Sequence, residues 1–195
     1  MNKLTLLAAA TLFSLPALAG TENHFTKSVS VDYFQSSNDF TAEWNGQSNE
    51  ITNDSTGVAA KFNWEYISGG SFFLGYQYES FDIGLYDDLN NPLHSFILGG
   101  GKEWVLENKL APYIQGTFSF GFMSIDDSFY DTDSANALGG KVGVGLGYYI
   151  ANGWRANIGL DAQYRSWSPI EIAFIDDIEI SETSIIWSVG IKKKF

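Results

Sequence analysis

The chain has 195 residues, a net charge of −12 and no cysteine. That length allows one compact domain or one small barrel. The acidic balance disfavours nucleic acid as a partner, and the missing thiols exclude a disulfide framework. Aromatic residues at 16%, 20 glycines and only 4 prolines suit strands and tight turns better than helices.

The chain opens with Met1-Asn2-Lys3, an apolar run from Leu4 to Leu15, and Ala17-Leu18-Ala19. A positive head, a short apolar core and a small-x-small end predict a secretory signal peptide over residues 1–19, or 1–20. The run is too short to cross a bilayer as a helix, which takes about 20 residues. Residues 20–195 are then the mature domain, and no second long apolar run follows in them.

Period-two alternation dominates from there, and it places successive side chains on opposite faces of a strand. Val29, Val31 and Tyr33 alternate with Ser28, Ser30 and Asp32. Val58, Ala60, Phe62, Trp64 and Tyr66 alternate with Ala59, Lys61, Asn63 and Glu65. After Ser68-Gly69-Gly70, Phe72, Leu74, Tyr76 and Tyr78 oppose Phe73, Gly75, Gln77 and Glu79, which predicts a hairpin. Phe96 and Leu98 then oppose Ile97 and Gly99, and Ile114, Phe118, Phe120 and Phe122 oppose Gln115, Thr117, Ser119 and Gly121. Val142, Val144, Leu146 and Tyr148 oppose Lys141, Gly143, Gly145 and Gly147. Trp154, Ile158, Leu160 and Tyr164 oppose Arg155, Asn157, Asp161 and Arg165. Last, Ile185, Trp187, Val189 and Ile191 oppose Ser188, Gly190, Lys192 and Lys194. These are eight strands, each near the roughly 9–11 residues that a tilted membrane strand requires.

One face of every strand is large and aromatic, which suits lipid and would be an aggregation hazard in water. The other is small or charged. Its Lys61, Glu65, Glu79, Lys141, Arg155, Asp161 and Arg165 are expected to form a charge network filling the narrow lumen of an eight-stranded antiparallel transmembrane β-barrel. Connectors after even-numbered strands are brief, around residues 68–70, 107–109 and 151–153; those after odd-numbered strands are long, at about 36–56, 80–93, 124–137 and 166–183. Short turns at one rim and long loops at the other is the asymmetry of bacterial outer-membrane barrels, with the short turns periplasmic. Trp64, Tyr66, Phe72, Trp104, Tyr148 and Trp154 beside the short turns predict an aromatic girdle.

The chain resembles the small OmpA/OmpX-type outer-membrane barrels. The resemblance rests on Pro112-Tyr113-Ile114, the glycine-laced stretch Gly139 to Tyr149, Asn152-Gly153-Trp154 and the terminal strand Ile185 to Phe195. It implies a monomer in the outer membrane of a Gram-negative bacterium, with lipid as its surroundings and both termini in the periplasm. It also implies that the barrel assembly machinery reads Trp187, Val189, Ile191 and Phe195 as an insertion signal, although Lys193 replaces the usual apolar residue.

The long loops carry most of the 23 acids and no Lys or Arg. Asp126, Asp127, Asp131 and Asp133 are the candidate ligands for Ca²⁺ or Mg²⁺; no other cofactor is expected. In the fourth loop, Ile170, Ile172 and Phe174, then Ile178 and Ile180, flank Asp176-Asp177 and predict a protruding hairpin able to recruit an extracellular protein. The two histidines, His24 and His94, have no nucleophile placed beside them in the pattern, His94 and Ser95 pointing to opposite faces. The expected function is therefore non-enzymatic, an envelope-structural or adhesion role at the cell surface; the alternative is a narrow channel for small or apolar solutes.

Overall fold

The computed structural model describes residues 25–82, 92–124, 134–168, 170–172 and 175–195. The leader expected at 1–19 lies outside them. Among the described residues nine strands follow one another: β1 (Phe25–Trp44), β2 (Gln47–Tyr66), β3 (Gly70–Asp82), β4 (Leu93–Glu103), β5 (Leu110–Ser124), β6 (Ser134–Tyr149), β7 (Trp154–Trp167), β8 (Ile170–Ile172) and β9 (Ile175–Lys194). From β1 to β7 each strand pairs antiparallel with the next, and β7 then pairs β9. The β1–β9 ladder, from Ser28↔Lys194 to Glu43↔Glu179, closes the sheet into a ring of eight strands. Closure removes the sheet edges that an open sheet would expose. The short β8 pairs only β9 and stands outside the ring.

The alternation seen in the sequence becomes an inside and an outside. Outward-facing Phe96 and Ile158 are each 61% exposed and Val144 55%, whereas inward-facing Arg165 is 1% exposed and Glu79 is fully buried. A continuous outer band of Val, Ile, Leu, Phe, Tyr and Trp cannot face water at this scale, and the closed ladder leaves no unpaired backbone within it, as a bilayer demands. Toward the long-hairpin end the band stops after Tyr78 and Phe122, with Ser80 and Ser124 next on the same faces.

Turn chemistry fixes the register at the short-turn rim. Gly69 (φ 82°) closes the β2–β3 turn with its N–H donating to the Tyr66 carbonyl at 2.9 Å. Asn152 (φ 49°) and Gly153 (φ 78°) close the β6–β7 turn. Only glycine, and asparagine less readily, adopts such left-handed geometry at little cost.

The connector expected at 36–56 is not a loop. It is the outer half of a hairpin paired residue by residue from Ser36↔Ser55 to Trp44↔Gln47, around a two-residue turn at Asn45 (φ 47°) and Gly46 (φ 76°). Two consecutive positive φ values mark the turn that matches strand twist. The alternation fades there because the outer face leaves lipid for water while the inner face still packs in the lumen, so the apolar–polar contrast disappears while the ladder continues. The connector expected at 166–183 shrinks likewise: β7 runs to Trp167, β8 pairs Ile170↔Ile178, and β9 begins at Ile175. Of the loops expected at 80–93 and 124–137, residues 80–82, 93, 124 and 134–137 are strand, and the remainder falls largely outside the described residues. With 20 residues each, β1, β2 and β9 are nearly twice as long as the 11-residue β4, and they rise beyond the band as a sheet standing on one side of the barrel.

Candidate functional site: the barrel lumen

Every lumen side chain sits where strand parity puts it, and the charges sort into tiers along the barrel axis. Nearest the short turns, Glu65 of β2 receives Lys192 Nζ at 2.8 Å and Lys194 Nζ at 2.6 Å, both from β9, and the Ser28 hydroxyl at 3.0 Å. Beside them Arg155 of β7 pairs with Glu103 at the end of β4, which also accepts the Tyr149 hydroxyl. Lys192 Nζ lies 3.9 Å from Glu103 and so joins the two groups.

The next tier is looser. Lys61 pairs with Asp32 at 2.9 Å and lies 5.3 Å from the centre of the inward-facing Phe73 ring. Asp161 accepts the Gln115 amide at 3.0 Å, and the Tyr113 hydroxyl donates to the Ile158 carbonyl at 3.2 Å. A cavity of about 60 Å³ opens among these groups, bordered also by Lys141.

Above it sits the tightest cluster. Arg165 reaches Glu79 across the lumen and Glu182 at 3.0 Å, and all three are at most 1% exposed. Both carboxylates have further donors. Glu79 accepts Ser55 at 2.6 Å and Gln77 at 3.2 Å; Glu182 accepts Ser184 at 2.7 Å and the Trp167 indole N–H at 3.1 Å. Buried ions are tolerated when paired and hydrogen-bonded in this way. Capping this knot are three mutually packed rings, Phe40, Phe81 and Trp167, with centroids 5.8–6.2 Å apart. Leu93, Ala135 and Ala137 complete the apolar plug.

The seven lumen charges named from sequence are thus all inside the ring. Arg165 and Glu79 meet directly, whereas Lys61, Glu65 and Arg155 find partners outside the predicted set: Asp32, Lys192, Lys194 and Glu103. Lys141 and Asp161 make no direct ion pair among the described residues. Lys192 and Lys194 carried the parity signal, sharing a face with Ser188 and Gly190. Glu182 was hidden because its segment reads as loop, and so was the plug, whose Phe40, Phe81 and Leu93 fall in stretches without alternation.

His94 faces outward, where Nδ1 meets the Tyr76 hydroxyl, the ring stacks on Phe122 at 5.5 Å, and Tyr78 packs edge-on at 5.5 Å. Ser95 faces the lumen and is 2% exposed. Among the described residues no group of three or more His, Asp or Glu side chains could hold a metal ion; Asp126, Asp127, Asp131 and Asp133 lie outside them. Of the expected assembly signal, Trp187, Val189 and Ile191 lie on the outer face, and Phe195 is 76% exposed at the short-turn rim. There Lys193 lies 5.1 Å from the centre of the Trp154 ring and donates to the Asn152 carbonyl.

No family model matches the chain, and no curated protein matches it. Solved structures do. Neisserial surface protein A superimposes with a TM-score of 0.54 at 16% identity, covering 87% of this chain and 97% of that one. The outer-membrane protein AlkL, determined in lipid bilayers, gives a TM-score of 0.60 at 14% identity over 93% of this chain and 95% of its own. The chain has the fold of the small outer-membrane β-barrels.

Proposed function

We propose that this protein is a non-enzymatic, non-conducting outer-membrane barrel of a Gram-negative bacterium that works through its outer surface, in envelope integrity or adhesion. The observation that carries the reading is the buried Arg165–Glu79–Glu182 knot beneath the Phe40–Phe81–Trp167 plug, which fills the lumen with packed side chains above the cavity. An eight-stranded barrel is just wide enough for side chains to fill, and here they do so above the cavity. With the lumen spent on stability, the parts left for recognition are the extensions beyond the lipid band. There β8, β9, β1 and β2 present a paired sheet bearing Asp39, Glu43 and Glu50. Such a sheet suits a partner with a basic surface, or one that adds a strand. Insertion depends in this reading on the assembly machinery engaging the outward residues of β9.

The test is ion conductance of the purified protein refolded into a planar lipid bilayer. The expected record is flat, without discrete steps. Reproducible steps in the unaltered protein would replace this reading by the narrow channel for small or apolar solutes. The cavity of about 60 Å³ is the feature that such a channel would use, but it stops below Arg165.

A further inference from the structure

Below the knot, one cation among the described residues is left without an acceptor. Lys61, Arg155 and Lys192 each touch a carboxylate. Lys141 makes no hydrogen bond or ion pair among the described residues, although its side chain borders the lumen cavity. The nearest acid by register is Asp161, which stands diagonally from it across the β6–β7 ladder, two residues from its direct partner Gln163. Asp161 is already engaged by Gln115. The knot above offers no vacancy either, since Glu79 and Glu182 are saturated by Arg165, Ser55, Gln77, Ser184 and Trp167.

A second donor stands beside it. Thr117 is the direct cross-strand partner of Lys141 in the β5–β6 register, shares its lumen face, is 5% exposed, and its hydroxyl has no hydrogen-bond partner. A buried hydroxyl without a partner is costly, and beside an ammonium that touches no carboxylate the pair favours a further, negatively charged acceptor. Charge agrees. Among the described residues, the inward-facing groups between the knot and the short-turn rim are five cations, Lys61, Lys141, Arg155, Lys192 and Lys194, against four carboxylates, Asp32, Glu65, Glu103 and Asp161. The surplus is one positive charge.

We propose that the lumen holds a single small monovalent anion, of chloride size, between the Lys141 ammonium and the Thr117 hydroxyl. The cavity runs from Lys141 to Ser71 and Lys102 beside the β2–β3 and β4–β5 turns, so the ion enters from the short-turn rim. Its volume admits a monatomic ion together with water. Binding to the folded barrel alone stabilises it by mass action.

The experiment is thermal unfolding of the protein refolded in lipid vesicles, with chloride exchanged for gluconate at constant ionic strength. The expected result is an unfolding midpoint that climbs with each tenfold rise in chloride. The dependence disappears in Lys141→Met and weakens in Thr117→Val, while Lys109→Met at the short-turn rim keeps it. Crystals soaked in bromide then show an anomalous peak beside Lys141. Coincident chloride and gluconate curves in the unaltered protein would overturn the proposal and leave water as the occupant. An undiminished chloride dependence in Lys141→Met would overturn it too, as would one undiminished in Thr117→Val should Lys141→Met fail to refold.

Discussion

Arg165 on β7 and Glu79 on β3, 86 residues apart in sequence, meet directly across the lumen while both are cut off from solvent. The guanidinium also holds Glu182 of β9, so a single side chain ties together three strands of the ring. The barrel wall is held by backbone ladders; this contact holds its two sides to each other through the interior.

Arg165→Met should therefore cost far more than the loss of one surface ion pair. It strands Glu79 and Glu182 side by side without a counter-ion, and removing one partner of a buried pair costs about 3–5 kcal/mol. Urea unfolding of the refolded barrel should show that loss, and the double variant Arg165→Met with Glu79→Gln should recover part of it. A loss below about 1 kcal/mol would mean that water reaches the knot and screens it, as for exposed pairs.

On the outer face the cost of charge has a different origin. Val144 faces outward at 55% exposure, with Leu146, Val142 and Leu160 around it in the ladder. Val144→Arg should destabilise the barrel in lipid by about 2–4 kcal/mol, the cost of a cation at mid-bilayer. An unchanged unfolding curve would place Val144 outside the hydrocarbon.

The lumen's glycines are not equivalent to those outside. A Cβ on Gly145 would strike the Tyr113 ring and the Ile158 carbonyl, whereas a Cβ on Gly140 would meet nothing within 4 Å. Gly145→Ala should cost about 1–3 kcal/mol through overpacking. Gly140→Ala should be neutral, or stabilising by about 0.4–1 kcal/mol through the unfolded chain. Equal effects in the two variants would contradict the assigned faces.

Orientation can be read from accessibility. A short epitope inserted between Asn45 and Gly46, at the tip of the longest hairpin, should bind antibody on intact Gram-negative cells. The same epitope between Asn152 and Gly153 should bind only after the outer membrane is permeabilised. The reverse pattern would invert the barrel in the membrane.

The sequence by itself determined that this is a barrel with an apolar outside and a polar inside. Period-two alternation is a local property, and Val142 to Tyr148 against Lys141 to Gly147 states both faces of β6 without reference to any other strand. The short turns were legible for the same reason, since Ser68-Gly69-Gly70 and Asn152-Gly153 carry their backbone geometry in their own residues. Only the tertiary structure decided what each charge meets. Glu79 reads as one acid among many until closure of the ring places Arg165 opposite it, and Glu103 reads as a strand end until β7 brings Arg155 to it. The same holds for the outer hairpin of β1 and β2 and for the Phe40–Phe81–Trp167 plug. Above the lipid both faces of a strand meet water or one another, so hydrophobicity no longer alternates, and pairing is fixed by backbone hydrogen bonds that leave no mark on composition.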